Sequence, residues 1–145
     1  MIAVDSNLLI YAYRAEMPQH PAAAQAVRTL GESGRPWAIP WPCVHEFVAA
    51  VTNPRIFRPP SPTVDALAQL GIWAESPWFV FLPEAGDHLV HLGYLLDASG
   101  VVGGTVHDAR IAAICLGHDV DELWSVDRDF RMFPGLRVVN PLVAK

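Results

Sequence analysis

The chain opens on Ile2-Ala3-Val4 and passes at once into Asp5-Ser6-Asn7, an apolar run of strand length bounded by polar residues. From Leu8 to Tyr13 it turns apolar again, and this stretch reads as a helix buried all round. A strand running straight into a buried helix belongs to an α/β domain. It delivers the residue after the strand to the carboxyl edge of a parallel sheet, where such folds bind their ligands. Here that residue is a carboxylate. One acid in one loop is by default a helix cap. Asp5 gains weight because three more acids sit at comparable junctions downstream.

The rest of the chain keeps the alternation. Pro21 suits the first turn of a second helix, whose core face is Ala23, Ala26, Val27 and Leu30. Trp37-Ala38-Ile39 reads as a second strand, and Pro42 opens a third helix striped by Val44, Phe47, Val48 and Val51. Asn53-Pro54 stops it, and Pro59, Pro60 and Pro62 stiffen the loop that carries Arg55, Phe57 and Arg58. A fourth helix is expected from about Thr63 to Ala74, then a third strand from Trp78 to Leu82. Asp87 can cap a fifth helix with Leu89, Leu92 and Leu96 on its core face, and Ser99-Gly100 with Gly103-Gly104 makes a flexible connection. Thr105-Val106-His107-Asp108 fits a capping box for a sixth helix, with Ala109, Ala112, Ala113 and Leu116 as a narrow packing face. Leu123 to Val126 is a fourth strand before the turn Asp127-Arg128-Asp129-Phe130, and Leu136 to Val139 a short last strand. Neither repeats nor a linker interrupt the pattern, so a single domain over residues 1–145 is expected, with a mainly parallel sheet of about four or five strands covered on both faces.

Composition narrows the function. Hydrophobic residues make up 52% of the chain, with a mean hydropathy of +0.25, yet no apolar run reaches the ~18–20 residues of a membrane helix. Asp5 interrupts the one candidate signal segment. Cys43 and Cys115 lack metal or redox spacing and read as buried thiols of a cytoplasmic protein. The apolar excess points to an oligomer interface or a bound partner. A net charge of −5 disfavours broad, nonspecific binding of nucleic acid but leaves a local site open. All basic residues but Lys145 are arginines, whose planar fork suits phosphates.

Asp5 and Asp127 both follow apolar strands, and Glu46 and Asp108 sit in the early turns of helices that can reach the same sheet edge. Glu46 has only Pro42, Cys43, Ala49 and Ala50 at helical neighbour positions, so no cation on its own helix pairs with it. Four converging carboxylates repel one another and raise each other's pKa unless a cation intervenes. Hard oxygen donors without a His or Cys cluster favour Mg²⁺ or Mn²⁺ over zinc. Such a centre can hold a phosphate oxygen and acidify a water for in-line attack, which predicts phosphodiester hydrolysis. Taken singly, Asp5, Asp108 and Asp127 each read as capping residues; the combination carries the signal.

Val4-Asp5-Ser6-Asn7, the helical Glu46, His107-Asp108-Ala109 and Trp124-Ser125-Val126-Asp127-Arg128-Asp129-Phe130 resemble, in order and register, the motifs of PIN-domain nucleases. Their spacing and the chain's size resemble the VapC toxins of type II toxin–antitoxin modules, down to Phe133-Pro134-Gly135-Leu136 and Asn140-Pro141-Leu142, while Thr52 to Phe57 is similar to a stretch of one subgroup. The resemblance implies a three-layer α/β/α domain and a Mg²⁺-dependent endoribonuclease. It implies Asp5, Glu46, Asp108 and Asp127 as the acidic residues, Asn7 and Ser125 as supporting polar groups, and Asp129 as a fifth acid used by some members. It also implies a homodimer held inactive by a VapB antitoxin.

Smaller expectations attach to other residues. Arg14, Arg55, Arg58, Arg110 and Arg128 can contact RNA phosphates, although solvated or structural arginines are commoner. Trp41, Trp73, Trp78 and Trp124 can stack on bases, but packing is the ordinary use. His88 and His91 share a helical face with metal-like spacing but lack a third ligand, and His107 reads as a helix-start residue. A haloacid-dehalogenase-type phosphatase and a receiver domain also gather acids at a sheet edge, yet both need a lysine near them and this chain has only Lys145. The phosphatase also needs a second Asp where Asn7 stands. The remaining rival is a non-catalytic domain whose acids dock a basic protein segment.

Overall fold

The computed structural model describes residues 1–143; Lys145, the only lysine, lies outside them. Five parallel strands form one sheet in the order β3-β2-β1-β4-β5: β1 Ile2–Val4, β2 Trp37–Pro40, β3 Phe79–Leu82, β4 Glu122–Trp124 and β5 Val138–Val139. The central strands are apolar throughout because helices cover both faces; β1 and β2 are fully buried. Six helices accompany them: α1 Ser6–Tyr13, α2 His20–Glu32, α3 Trp41–Val51, α4 Thr63–Trp73, α5 His88–Ser99 and α6 Val106–Gly117.

The chain steps from β1 to β2 to β3 through α1–α4, then returns across the sheet through α5 and α6 to β4. Right-handed crossovers in opposite directions put the two helix sets on opposite faces, and the packing agrees: α1 lies against α2 and α3, α3 against α4, and α5 against α6. The direction of winding reverses between β1 and β4. That reversal opens the crevice in which doubly wound sheets hold ligands.

Several local expectations shift. The first helix begins at Ser6, with Asp5 as its N-cap. On α5 the core residue is Leu95, flanked by half-buried Leu92 and Leu96, while Leu89 is 80% exposed. Apolar residues ring this helix, so periodicity alone could not choose the face. The capping box at Thr105 does not form: Gly103–Thr105 is a short 3₁₀ turn, and the Thr105 side chain makes no cap hydrogen bond. The α6 packing face is broad, with Ala109 and Ile111 to Cys115 all buried, because α6 is packed between the sheet and α5. Edge strand β3 leaves Val80 exposed.

Candidate functional site

The backbone of β1 and β4 builds the site before any side chain is considered. Val4 stands opposite Trp124 in the parallel ladder, and the Asp5 N–H continues it by donating to the Trp124 carbonyl at 2.9 Å. Asp5 and Ser125 therefore emerge side by side at the reversal point. Asp5 is 4% and Ser125 2% exposed, both buried polar residues, and the cost of burying them is offset by hydrogen bonds. The Ser125 hydroxyl donates to Asp5 Oδ2 at 2.7 Å and accepts from Asn7 Nδ2 at 3.2 Å and from the Asp127 N–H at 3.0 Å. Asp5 Oδ1 takes the Ser6 N–H at 2.8 Å, with the Cys43 thiol 3.5 Å away.

Glu46 comes in from α3, the helix that follows β2. A carboxylate oxygen of Asp5, one of Glu46 and the Cys43 sulfur all lie within 4.8 Å of one another. Asp108, on α6, and Asp127, after β4, stand outside that compact set but close enough to act on it. Burial raises the Asp5 pKa above the ordinary carboxylate value against the hydrogen bonds from Ser125, Ser6 and Cys43, and the charge of Asp127 adds to the rise. Glu46 is raised by burial first, then by Asp5, with Asp108 adding to the rise against a Ser6 side-chain hydrogen bond. Asp108 is raised by burial, then by Asp127, Asp5 and Asp129. Mutual repulsion thus links Asp5, Glu46, Asp108, Asp127 and Asp129 around one crevice. Asp127 also caps the 3₁₀ turn Arg128–Met132, its Oδ1 accepting the Asp129 N–H at 2.9 Å.

Two residues at the site escaped sequence reasoning. Cys43 precedes Glu46 by three positions and so shares its helix face, a signal available in the sequence, but its approach to Asp5 depends on how α3 packs against α1, the helix that Asp5 caps. Burial and the neighbouring carboxylates push the Cys43 thiol well above its ordinary value, so it stays an S–H donor to Asp5. Ser6, read as part of a cap, serves both Asp5 and Glu46.

Concave spaces flank the acids. One, of about 470 Å³, lies between α3 and α6 and is lined by Glu46, His45, His107 and Arg110; Arg110 is tied to Glu84 at 2.6 Å. Another, of about 360 Å³, lies beyond Ser125 and Asp127 at the ends of β4 and β5. Arg14 is structural: it bonds Glu16, Ser61 and the Pro59 carbonyl at 2.6–2.9 Å and lies over the Phe57 ring. Trp41 stacks on Phe81 and Trp73 packs against Phe47, whereas Trp78 is exposed. His91 pairs with Asp87 at 2.9 Å, and His88 and His91 belong to no compact donor set among the described residues.

No protein-family model matches the chain. Individual proteins do. Ribonuclease VapC31 of Mycobacterium tuberculosis is 31% identical over 141 residues, 97% of this chain and 99% of its own. Ribonuclease VapC33 of the same organism is 32% identical over 143 residues, 98% and 99% of the two chains. The chain belongs to the VapC ribonuclease family. The VapC fold agrees: the crystal structure of VapBC2 from Rickettsia felis, bound to a DNA fragment from its promoter, superposes with a TM-score of 0.70 over 97% of this chain and 98% of the other at 17% identity. No helix among the described residues of this VapC chain is long and apolar enough to cross a membrane.

Proposed function

We propose that this VapC chain is the toxin of a type II toxin–antitoxin module and hydrolyses RNA phosphodiester bonds at Asp5, Glu46, Asp108 and Asp127, with Mg²⁺ or alternatively Mn²⁺ held by those carboxylates. The observation that carries the reading is the Asn7–Ser125–Asp5 chain of hydrogen bonds, buried at Ser125 and Asp5, which fixes one carboxylate in the crevice beside three others that repel it.

The residues fit a hard divalent cation. The donors are carboxylate oxygens, because Cys43 keeps its proton, and all-oxygen sites suit Mg²⁺ and Mn²⁺. Asn7 Oδ1 is buried and has no hydrogen-bond partner among the described residues, and the donor it lacks is one that a hydrated cation carries. Such a cation supplies Lewis-acid chemistry, withdrawing charge from a phosphoryl oxygen and acidifying water. Ser125 orients Asp5, and Asn7 orients Ser125. Asp127 commits one oxygen to its turn and keeps the other for the site. Glu46 and Asp108 hold protons more tightly than exposed acids, so loading the site displaces protons and weakens toward acidic pH. Asp129 acts through its charge on Asp108.

Two surfaces support the partners. Val64, Leu67 and Ile72 leave an exposed apolar face on α4 that suits a VapB-type antitoxin, and Leu89, Val90 and Tyr94 leave one on α5 that suits a second copy in a homodimer. The buried, unpaired Cys43 and Cys115 fit a reducing cytoplasm.

The test is incubation of total RNA with purified protein in Mg²⁺ or EDTA, beside Asp5→Asn checked for fold by circular dichroism. Discrete fragments that need the metal and vanish in the variant are expected. Identical behaviour of the two proteins across RNAs and metals overturns the reading in favour of an acidic surface that docks a basic protein segment.

A further inference from the structure

Beyond the acids, at the carboxyl ends of β4 and β5, lies the cavity of about 360 Å³, whose polar lining includes Ser125, Asp127, Arg128, Arg131, Arg137 and Asn140. In a chain of net charge −5, three of its nine arginines gather on this one concavity. Arg128 and Arg131 have no carboxylate partner among the described residues, and Arg137 meets Glu122 only at 3.4 Å with its own side chain 73% exposed. Asp127 is the one carboxylate on this lining, so the three guanidinium groups outnumber the acids there, repel one another, and an anion relieves that repulsion. Asn140 Oδ1 is occupied by the Leu142 N–H at 2.9 Å, which leaves its amide N–H groups to donate. Apart from these residues the wall is valine, at Val126, Val138, Val139 and Val143, a surface for a sugar or base rather than for bulk water. The volume is near the lower end of the ~300–1,000 Å³ typical of small-ligand sites.

The cavity shares Ser125 and Asp127 with the acidic crevice, so a strand whose phosphate lies at the acids continues into it. We infer that this cavity is a nucleotide subsite of the ribonuclease, in which Arg131 and Arg128 clamp the phosphate next to the scissile one while the valine wall and Asn140 receive the attached nucleoside. The inference rests on the endoribonuclease reading. It also adds to the attraction that a bound cation supplies, since the carboxylates by themselves repel a polyanion. Forked guanidinium donors are the side chains best matched to a phosphodiester.

Arg131→Gln tests the subsite, because Arg131 is exposed and makes no hydrogen bond among the described residues, so the variant folds. On a short RNA spanning a mapped cleavage site, KM rises about tenfold, the scale of one charge-assisted hydrogen bond, while kcat stays within a small factor. A set of the same RNA carrying one uncharged methylphosphonate at successive positions locates the phosphate that Arg131 holds. At the linkage beside the cut the substitution penalises the wild type and adds nothing to Arg131→Gln. A second arm needs no cleavage: anisotropy of a fluorescein-labelled single-stranded RNA on Asp5→Asn and on Asp5→Asn with Arg131→Gln. There the slope of log affinity against log salt becomes shallower by about 0.7, one phosphate's worth for a single strand. Equal KM and equal slopes overturn the subsite. RNA that binds with the arginine-dependent slope but is never cut refutes the enzyme reading and keeps the phosphate site. Loss of binding to purified antitoxin, with RNA affinity unchanged, assigns the cavity to protein docking instead and overturns the inference.

Discussion

Ser125→Ala is the perturbation that most directly interrogates the architecture of the site. The hydroxyl is 2% exposed and makes three hydrogen bonds at once: it donates to Asp5 Oδ2 and accepts from Asn7 Nδ2 and the Asp127 N–H. A hydrogen bond to a charged group contributes about 1.5–3 kcal/mol and each neutral one about 0.5–1.5 kcal/mol. Non-additivity within one network keeps the total near ~3 kcal/mol rather than at the sum of the upper limits. For a chain of this size that is a fall in Tm of roughly 6–12 °C. The pH dependence has a definite sign. Asp5 already has a raised pKa in the folded state, and losing the Ser125 bond raises it further. A raised acid destabilises the fold above its folded pKa and costs nothing below its unfolded pKa. The penalty of Ser125→Ala is therefore largest at neutral pH and shrinks as pH falls into the ordinary carboxylate range. Urea titrations of metal-free protein at several pH values measure it. A loss under about 0.5 kcal/mol at neutral pH, the range of an ordinary surface change, or a penalty that grows toward acid, refutes the reasoning.

Glu46→Gln removes a carboxylate that burial and Asp5 already disfavour, so metal-free protein melts higher at neutral pH while RNA cleavage is lost; a lower Tm by calorimetry contradicts the repulsion argument. For the wild type, Mg²⁺ at a hundred times its Kd adds about 2.7 kcal/mol of stability, and that increment disappears in the same variant. Arg14→Ala separates structural arginines from those facing RNA: losing its bonds to Ser61 and the Pro59 carbonyl and its place over Phe57 costs about 2–3 kcal/mol in a urea titration but leaves the salt dependence of RNA binding unchanged.

What was legible in the sequence was set by period and punctuation. Strands β1 and β2 stand out because two covered faces demand unbroken apolar runs, and a polar residue marks where β1 leaves the sheet. For β4 the expected Leu123 to Val126 shifts to Glu122–Trp124, because pairing with β1 and β5 rather than apolar content sets its ends. Following two apolar runs in a parallel sheet places Asp5 and Asp127 at the same edge without any coordinates. The α5 face was not legible, since Leu89, Val90, Leu92, Leu95 and Leu96 surround the helix and only its packing against α6 selects Leu95. The capping box failed for a related reason. Thr105 has the right chemistry, but Gly103, at a φ of +63°, lets the chain enter α6 through a 3₁₀ turn, and the Thr105 side chain is not used as a cap. Asp108 is thereby released from a capping role and left to face the other acids.

At the site itself the local and the functional readings of a residue turn out to be compatible rather than exclusive. Asp5 does cap α1, and Asp127 does cap its 3₁₀ turn; each commits a single oxygen to that duty. A carboxylate has a second oxygen, and the cap holds it in one orientation. Capping is thus the means by which two short, separately encoded turns present charge at the sheet reversal. The conflict lies in bringing such groups together, since a fold selected for stability alone would scatter Asp5, Glu46 and Asp108 into solvent or pair them with arginines. This chain has nine arginines and places three of them in the neighbouring cavity instead. Acids gathered in one crevice, beside a cavity where three guanidinium groups face the single carboxylate Asp127, make the uneven distribution of charge that the proposed joint binding of a cation and a polyanion would relieve.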